Sequence, residues 1–457
     1  MCFEKKMDLE KERQINEIKK KGLSLRLNND KFLELRKTIR EEAEKIFCDK
    51  NQADIFYQCF FNTIDTVSHF QEDGTVFVLT GDIPAMWLRD SVPQVMQYLF
   101  FAKEDEEVRS YIKGVLQRQF KYMEIDVYAN AFKRKEGDYG EWDGTVDSNK
   151  MPSIVWERKF ELDSLCYPFF LLCKYYEVTK DSSCFDESFM KAFDVMIETV
   201  EIEREHSKRS EYYFHKGKVN VGHNNPDSEK GLVWCGFRPS DDPCQYPYHI
   251  PDNMFLVSIL YKLAPIFEDE LKDNERAGKC RKLIFELKTL IEKYGIFEDV
   301  ETGKRYVSET DCMGNYCFND DANIPSLLSI PYLEYPYIDK TIYENTRKFI
   351  LSKRNKYYYE GKMLKGIGSP HTPEGRVWPL SLCMQALTSE DETEIKEILK
   401  MLFNSTDGTG YMHEGVDCND VSAYSRPWFV WANSMFAYMI LCKQNYFSNK
   451  QTQNIKL

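Results

Sequence analysis

The chain of 457 residues lacks an excess of positive charge, because 61 Lys and Arg face 74 Asp and Glu for a net charge of −13. Nucleic acids and anionic membranes select basic surfaces, so neither is expected as a partner. The 14 cysteines include no CxxC pair, which argues against a zinc ribbon or a small disulfide scaffold. Most of them are expected to be free, buried thiols in a reducing compartment.

Targeting signals are also missing from the sequence. The N-terminal run MCFEKKMDLEKERQINEIKKKG is charged throughout and has no apolar stretch of the kind that a signal peptide needs. No window further along is expected to approach a transmembrane span. These features predict a cytoplasmic protein whose residues 1–28 form a charged N-terminal extension.

Cofactor and metal motifs are absent too. The sequence contains no phosphate-binding P-loop, no GxGxxG after a strand, no GxSxG and no HExxH. The acidic segment 319–323 lacks the length and the glycine of an EF-hand loop, and the seven histidines do not fall at ligand spacing on one helix. We therefore expect neither a cofactor nor a metal.

The sequence does contain a pattern that occurs six times, each time with different residues. In each occurrence a loop rich in Pro, Asp, Arg, Trp and His leads into an apolar, aromatic segment. The six apolar segments are residues 92–102, 165–176, 254–267, 326–333, 377–387 and 428–441.

Between these segments lie amphipathic ones, such as DEEVRSYIKGVLQRQFKYMEID. A helix that is apolar all round is buried, whereas an amphipathic helix is half exposed. The alternation predicts an all-α fold, an (α/α)6 barrel or toroid with an inner and an outer ring. No linker divides the chain, so residues 29–457 are predicted to be a single domain, with short hairpin strands at 75–81 and 212–220.

In such a toroid the loops that enter the inner helices gather at one end and form a bowl. All seven tryptophans fall in or beside those loops, which suggests flat walls for a sugar ring or, for any one of them, simple core packing. They are Trp87, Trp142, Trp156, Trp234, Trp378, Trp428 and Trp431.

Two loop carboxylate sites stand out for catalysis. Asp241 and Asp242 lie between prolines in GFRPSDDPCQYPYHIPDN, and Glu414 lies in YMHEG after a glycine-rich turn. Glycoside hydrolysis needs one carboxyl as acid and a second as base or nucleophile. Taken alone, Asp242 is read as a turn former and Asp163, which precedes a predicted helix, as a helix cap, while Asp252 or Asn253 is predicted to cap the next inner helix.

Several segments resemble glycoside hydrolase family 125, the metal-independent exo-acting α-1,6-mannosidases. They are GDIPAMWLRDS, WERKFELDSL, GFRPSDD, HIPDNMF, NDDANIPSLL, GSPHTPEGRVWPLSL, MHEGVD and AYSRPWFVWANSMF. The resemblance covers about residues 55–440. It implies an inverting enzyme in which Asp241, with Asp242 as the neighbour to be distinguished, is the general acid and Glu414 is the general base.

Further polar residues are predicted, by motif and by their chemistry, to bind the substrate, an α-1,6-linked mannoside from short α-mannosides or N-glycan fragments. They are Arg89, Asp90, Glu161, His223, Asp321, Asn323, His371 and Arg426. A different toroid glycosidase of glucoamylase type, a sugar epimerase and a non-catalytic carbohydrate-binding toroid are the alternatives. The protein is expected to be a monomer or a weak homo-oligomer.

Overall fold

The computed structural model describes residues 26–138, 140, 151–222, 231–301 and 303–447. Most of the predicted N-terminal extension, residues 1–25, lies outside the described residues. Residues 26–28 are joined to the body of the protein, since the Leu27 amide donates to the Asp65 carbonyl at 2.7 Å and the Asn28 side chain donates to the Ile64 carbonyl at 2.7 Å. The extension and its boundary therefore stay a prediction.

The described part of the chain is rich in helices. They are α1 Leu33–Ile46, α2 Lys50–Thr66, α3 Leu99–Ala102, α4 Glu106–Ile125, α5 Leu162–Thr179, α6 Glu187–Glu203, α7 His206–Arg209, α8 Ile250–Pro265, α9 Asn274–Tyr294, α10 Lys340–Ile350, α11 Pro379–Leu387, α12 Glu392–Asn404 and α13 Val430–Lys443. Short 3₁₀ turns lie at Met96–Tyr98, Ser182–Cys184 and Gln444–Tyr446, and a π-turn at Ile266–Glu270 extends α8.

The strands are short and lie in the loops. They are β1 Ser68–Phe70, β2 Val76–Val78, β3 Met86–Trp87, β4 Ala131–Phe132, β5 Val155–Glu157, β6 Phe214–Lys216, β7 Val219–Val221, β8 Tyr248–His249, β9 Ile296–Asp299, β10 Gly303–Tyr306, β11 Glu309–Thr310, β12 Tyr316–Cys317, β13 Tyr358–Glu360, β14 Lys365–Ile367, β15 Arg376–Val377 and β16 Val416–Asp417. The predicted arms at 75–81 and 212–220 are confirmed by the antiparallel pairs β1–β2 and β6–β7. The three-stranded sheets β3–β4–β5 and β8–β11–β12 were not predicted.

The predicted two-ring arrangement is confirmed. Among the apolar helices, α5 packs against α8, and α11 packs against α13. The amphipathic helices lie outside them: α4, α6, α9, α10 and α12. Helix α2, near the start of the chain, packs against α13, near its end, and this contact closes the ring. A continuous hydrophobic core, which runs from Phe32 to Leu441, holds the two rings together.

Two of the six inner segments are not the full helices that were predicted. The segment 92–102 forms turns, one 3₁₀ turn and the four-residue α3, and the segment 326–333 forms consecutive turns. Pro93 and Pro331 interrupt these segments, and a proline removes a backbone donor and clashes with the preceding helical turn. The ring therefore closes with four long inner helices and two compact turn segments.

One inner helix also corrects the expectation about membrane spans. The continuous run Ile250–Glu270 is long and apolar enough to cross a membrane by length and composition. Most of this run is buried inside the toroid, which is the position of a core helix.

The two rings begin their helices differently. Each of the outer helices α4, α6, α9, α10 and α12 starts at an aspartate whose side chain accepts a backbone N–H of the first turn: Asp105, Asp186, Asp273, Asp339 and Asp391. Asp49 caps α2 in the same way. The inner helices α5, α8, α11 and α13 start at Glu161, His249, Trp378 and Phe429 with no such side-chain cap. The N-termini of these inner helices therefore have no side-chain cap, and the positive end of each helix dipole favours negative charge in the bowl.

The predicted cap of α8 is wrong. The helix starts at His249, and Asp252 and Asn253 lie inside its first turn. The Asn253 amide instead joins α8 to the preceding segment, because its Oδ1 accepts from the Val233 N–H at 2.9 Å. Asp252 lies 3.0 Å from the His249 ring.

Candidate active site

Asp241 is presented by a tight turn with unusual backbone geometry. Its φ of 62° lies in the left-handed region, which an aspartate adopts more readily than most non-glycine residues. The Asp241 N–H donates to the Arg238 carbonyl at 2.9 Å, and the Arg238 N–H donates to the Asp242 carbonyl at 2.8 Å. Phe237 and Pro243 pair across the base of this turn.

The turn sends its two carboxylates in different directions. Asp241 Oδ1 accepts from Arg89 Nη2 at 2.6 Å and faces Asn130 Nδ2 at 3.4 Å, while 21% of the side chain remains exposed. Asp242 accepts from the Ser240 hydroxyl at 2.9 Å, within its own loop. Of the two neighbours, Asp241 is the one that enters the buried polar cluster.

The far half of the same loop is fixed by a residue that the sequence did not suggest. Glu309, at the start of β11, accepts the N–H groups of Gln245 and Tyr246 at 2.7 and 2.8 Å. Its other oxygen lies 3.7 Å from Arg238 Nε. Because Glu309 is fully buried, it ties the loop that carries Asp241 to the β8–β11–β12 sheet.

Arg89 is the centre of the polar cluster around Asp241. Its Nη1 donates to Glu161 Oε2 at 2.7 Å and to Asp163 Oδ2 at 3.2 Å, and its side chain is only 3% exposed. Since both of its terminal nitrogens already bind carboxylates, Arg89 orients the acid loop in this structure. Its predicted contact with substrate hydroxyls stays a prediction.

Three short strands bring this cluster together from distant parts of the chain. Arg89 follows β3, Asn130 precedes β4 and Glu157 ends β5. Asn130 Nδ2 donates to Glu157 Oε1 at 2.8 Å, and Lys159 Nζ lies 3.2 Å from Glu157 Oε2. Sequence reasoning missed Asn130, Glu157 and Lys159, because nothing local marks them except that two lie in the motif WERK.

Glu414 lies in a second arginine-centred cluster. Arg426 Nη1 approaches Glu414 Oε1 at 3.3 Å, Arg426 Nε donates to Asp82 Oδ1 at 2.9 Å and Nη2 reaches the Thr80 hydroxyl at 3.3 Å. Arg426 adopts a left-handed backbone with φ of 41°, and Glu414 is 4% exposed. Asp82, which shares Arg426 with Glu414, was also missed, although it lies in the motif GDIP.

Asp90 connects the two clusters electrostatically. It lies 3.5 Å from Arg89 Nε and is almost fully buried. Burial raises the pKa of Asp90 to about 6, the negative charges of Asp241 and Glu414 add to that rise, and Arg89 and Arg426 oppose it. The charges of both predicted catalytic carboxylates therefore contribute to the raised pKa of Asp90.

The protons of the acid cluster are unevenly distributed. Burial by itself would raise the pKa of Asp241, but the charges of Arg89 and Lys159 and a hydrogen bond with Glu161 hold that pKa well below its usual value. Burial raises the pKa of Glu161 well above its usual value, against the opposing charge of Arg89 and with the help of the charge of Asp241. The pKa values of the two carboxyls are therefore shifted in opposite directions, up for Glu161 and down for Asp241.

Three other predicted residues meet beside the acid loop. Asn323 donates from its side chain to Asp321 Oδ1 at 3.1 Å and to the Ser369 hydroxyl at 3.3 Å. The same hydroxyl accepts the His371 N–H at 3.2 Å, and the exposed His371 lowers the pKa of Asp241 after the larger effects of burial and Arg89. These residues form one rim of the site, whereas the predicted residue His223 lies outside the described residues.

The tryptophans do not form the open walls that were suggested. The six in the described part of the chain are each at most 9% exposed, and Trp142 lies outside it. Trp378 and Trp428 donate their indole N–H to Thr372 and Thr66, and Trp234 stacks on the His206 ring. Core packing, the simpler alternative, therefore accounts for them.

The acidic segment 319–323 folds its own loop. Both carboxylate oxygens of Asp320 accept backbone N–H groups, those of Leu327 at 2.7 Å and Leu328 at 3.0 Å. Within the described ranges no group of three or more His, Cys, Asp and Glu side chains has the arrangement of a metal site. The sequence expectation that no metal or cofactor is needed stays a prediction.

The cysteines agree with the sequence expectation in one respect. Thirteen of them are free thiols in the part of the chain that the structure covers, and ten of these are buried. Burial raises the pKa of Cys235 well above its usual value, which makes the thiol inert as a nucleophile.

A site with two carboxylates, the partly exposed Asp241 and the buried Glu414, each paired with its own arginine, is the kind of arrangement found in glycosidases. Residues 49–441 match the model of a family described as metal-independent α-mannosidase, glycoside hydrolase family 125. The chain belongs to glycoside hydrolase family 125. This family 125 protein is therefore a glycoside hydrolase of the α-mannosidase type.

Relatives of the family 125 protein agree over most of its length. It is 36% identical over 430 residues to the meiotically up-regulated gene 157 protein of Schizosaccharomyces pombe, a match that covers 88% of this chain and 84% of the relative. It is 39% identical, with a TM-score of 0.85, to a metal-independent α-mannosidase of Streptococcus pneumoniae solved in a non-productive complex with α-1,6-mannobiose. That alignment covers 90% of this chain and 98% of the other.

More distant structures share the fold alone. A bacterial glucoamylase complexed with acarbose is 13% identical with a TM-score of 0.54, over 89% of the family 125 protein and 58% of the glucoamylase. The glucoamylase of Saccharomycopsis fibuligera is 12% identical with the same TM-score, over 90% and 96% of the two chains. The (α/α)6 toroid predicted from the sequence is thus confirmed.

Proposed function

We propose that the protein is an exo-acting, inverting α-1,6-mannosidase that releases terminal mannose from short α-mannosides or N-glycan fragments. The observation that carries the proposal is the pair of carboxylates, the partly exposed Asp241 and the buried Glu414, each held by its own arginine. The α-1,6 linkage is supported by the Streptococcus pneumoniae relative, which was solved with α-1,6-mannobiose.

In the proposed reaction Asp241 acts as general acid and Glu414 as general base. Asp241 gives a proton to the glycosidic oxygen while the bond from that oxygen to C1 of mannose breaks. Glu414 removes a proton from a water that attacks C1 on the opposite face, so β-mannose forms from an α-mannoside. An inverting site leaves room for this water, with carboxyls about 6.5–9.5 Å apart.

Exo action is part of the proposal because the inner polar residues are closed off. Arg89 and Asp90 are 2% and 6% exposed, which suits an enclosed subsite for one terminal sugar. The rim formed by Asp321, Asn323 and His371 would then contact the sugar on the leaving side.

A time course by NMR tests the linkage and the stereochemistry together. The protein is mixed with α-1,6-mannobiose and, separately, with the α-1,2 and α-1,3 isomers. We expect β-mannose to appear first and only the α-1,6 isomer to be cleaved rapidly. First appearance of α-mannose would indicate retention, equal cleavage of the isomers would refute the linkage, and binding without cleavage would favour the non-catalytic toroid.

The roles of the two carboxylates are tested by substitution. Asp241→Asn and Glu414→Gln should each lower kcat by about 10²-fold or more, since acid–base catalysis contributes about that much. Asp242→Asn is the matched control, because Asp242 bonds only within its own loop in the described structure and should keep most of the activity. Equal losses in Asp241→Asn and Asp242→Asn would contradict the assignment.

A cytoplasmic monomer or weak homo-oligomer is proposed as the working form. The free thiols support a reducing compartment, since secreted proteins more often pair their cysteines. In that location the enzyme would act on fragments that reach the cytoplasm. Cell fractionation and light scattering of the purified protein test location and assembly.

A further inference from the structure

Glu161 and Asp241 are held side by side by one guanidinium group. Arg89 Nη1 donates to Glu161 Oε2 at 2.7 Å, and Arg89 Nη2 donates to Asp241 Oδ1 at 2.6 Å. Such a fork fixes two acceptors next to each other with little freedom. The carboxyl of Glu161 is therefore a fixed acidic neighbour of the proposed general acid.

The free oxygen of Glu161 has no conventional donor. Its Oε2 accepts from Arg89 and also from the Ser164 hydroxyl at 3.2 Å, whereas its Oε1 is buried and receives no donor from the described residues. Arg89 holds the Glu161 and Asp241 carboxyls on its two adjacent terminal nitrogens, so the two carboxyls are neighbours in a buried cluster. Two neighbouring carboxyls can share a hydrogen bond only when a proton lies between them.

The charge balance of the cluster also requires retained protons. The buried cations near Asp241 are Arg89 and Lys159. The carboxyls that contact these two cations are more numerous: Glu157, Glu161, Asp163 and Asp241. Asp90 also lies near Arg89 but is acted on by Arg426 as well, and His249 and His371 face Asp163 and Asp241. A buried carboxylate without a compensating charge is costly, so part of this set stays protonated at neutral pH.

A general acid beside an arginine has a further difficulty. The Arg89 contact favours the ionised form of Asp241, yet the proposed reaction starts with a proton on that side chain. A neighbouring carboxyl that stores the proton resolves the conflict, because the pair as a whole keeps one proton even when Asp241 alone would lose it.

We propose that Glu161 is the positioning residue that keeps the catalytic proton available to Asp241, an inference that rests on the function proposed above. In the free enzyme the proton lies in a hydrogen bond between Glu161 Oε1 and an oxygen of Asp241, on the Glu161 side. When a mannoside binds, the proton moves onto that Asp241 oxygen, and its O–H turns to the glycosidic oxygen.

The step is balanced as follows. Asp241 gives the proton to the leaving oxygen, which takes the electron pair of its bond to C1, and the pair is left as two carboxylates held by Arg89. The attacking water loses one proton to Glu414. After the products leave, Glu414 releases that proton to solvent, and Glu161 and Asp241 take one proton back.

The test compares two leaving groups in Glu161→Gln. α-1,6-Mannobiose needs a proton on its leaving oxygen, whereas fluoride leaves from α-mannosyl fluoride with little help from an acid. We expect kcat/KM for mannobiose to fall about 10²-fold or more and its alkaline limb to move to lower pH. Turnover of the fluoride should fall less than about tenfold, because Glu414 and Arg89 remain in place.

Asp163→Asn is the matched control, since Asp163 accepts from the same Arg89 nitrogen and the change likewise replaces a carboxyl by an amide, but Asp163 is not the partner of Asp241 in the shared bond. It should lower both substrates by similar factors and leave the alkaline limb in place. Equal losses for both substrates in Glu161→Gln, or an unmoved alkaline limb, would overturn the inference. If the wild type fails to hydrolyse mannobiose with inversion, the proposed function itself is wrong.

A second measurement applies if Glu161→Gln does not fold. Infrared difference spectra of the wild-type protein between weakly acidic and alkaline pH should contain a band of a protonated carboxyl that Asp241→Asn shifts or removes. A spectrum in which Asp241→Asn leaves every protonated-carboxyl band unchanged would refute the shared proton.

Discussion

Replacing Arg89 by methionine tests the charge balance on which the site depends. Arg89 contacts Glu161, Asp163 and Asp241 at 2.7, 3.2 and 2.6 Å and is almost fully buried. Hydrogen bonds to charged groups contribute about 1.5–3 kcal/mol each, so three sum to about 5–9 kcal/mol. Replacing the arginine also removes the free-energy cost of burying its charge, which offsets part of this sum. Removal of one partner from a buried ion pair typically costs about 3–5 kcal/mol.

We therefore expect Arg89→Met to lower the free energy of unfolding by about 3–5 kcal/mol at neutral pH. The deficit should depend on pH. Burial already raises the pKa of Asp163 to about 7, with Arg89 opposing, and without Arg89 the folded-state pKa rises further. A carboxyl with a raised folded-state pKa stabilises the fold at low pH and loses that contribution as pH rises through that pKa. The wild type and the variant lose it alike up to about pH 7, so the deficit due to Asp163 should be smallest at acidic pH and grow above about pH 7, where only the variant still keeps the proton.

Urea denaturation followed by tryptophan fluorescence measures this deficit, since the described tryptophans are buried and report unfolding. Arg40→Met is the matched control, because Arg40 pairs with Asp54 at 2.6 Å on the surface, where such a pair contributes about 0–1 kcal/mol. A deficit below about 1 kcal/mol at neutral pH, or one that grows on acidification, would refute the reasoning about buried charge.

Three further outcomes are expected. Asp82→Asn removes the charge of one of the carboxylates that hold Arg426 beside Glu414, so kcat/KM for α-1,6-mannobiose should fall, and an unchanged kcat/KM would contradict this. Gly81→Ala should lower the free energy of unfolding by about 2–4 kcal/mol, because φ is 134° and the new Cβ would lie 2.1 Å from a backbone oxygen. Gly74→Ala is the control: φ is 79° but the new Cβ meets no atom, so the change should cost only about 1 kcal/mol. Thermal or urea unfolding measures both. Hydrolysis of α-1,6-mannobiose should persist in excess EDTA, and its loss with recovery on adding calcium would indicate a metal-dependent reaction.

The choice between Asp241 and Asp242 shows where sequence reasoning reaches its limit. The two aspartates share one loop, the same prolines and the same arginine, so their local chemistry is alike. The left-handed φ of Asp241 and the position of Arg89, 152 residues earlier in the chain, decide which of them enters the cluster. Neither feature leaves a local pattern.

Four further site residues could not be predicted either, because their contacts also join residues that are far apart in the chain. Asn130, Glu157 and Lys159 reach Asp241 only because three two- or three-residue strands pair in a particular register. Asp82 approaches Arg426 across 344 residues of sequence. Strands this short carry too few side chains to show an alternating pattern.

The sequence by itself determined the two-ring toroid, because the alternation of apolar and amphipathic segments decides which helices must be buried. It also placed the loops, since proline and glycine limit the backbone wherever they occur. Only the tertiary structure decided that two inner segments are turns, that the tryptophans pack in the core, and that Glu161 and Asp241 meet on one arginine. Those features depend on contacts between residues far apart in the chain, and local propensity does not specify such contacts.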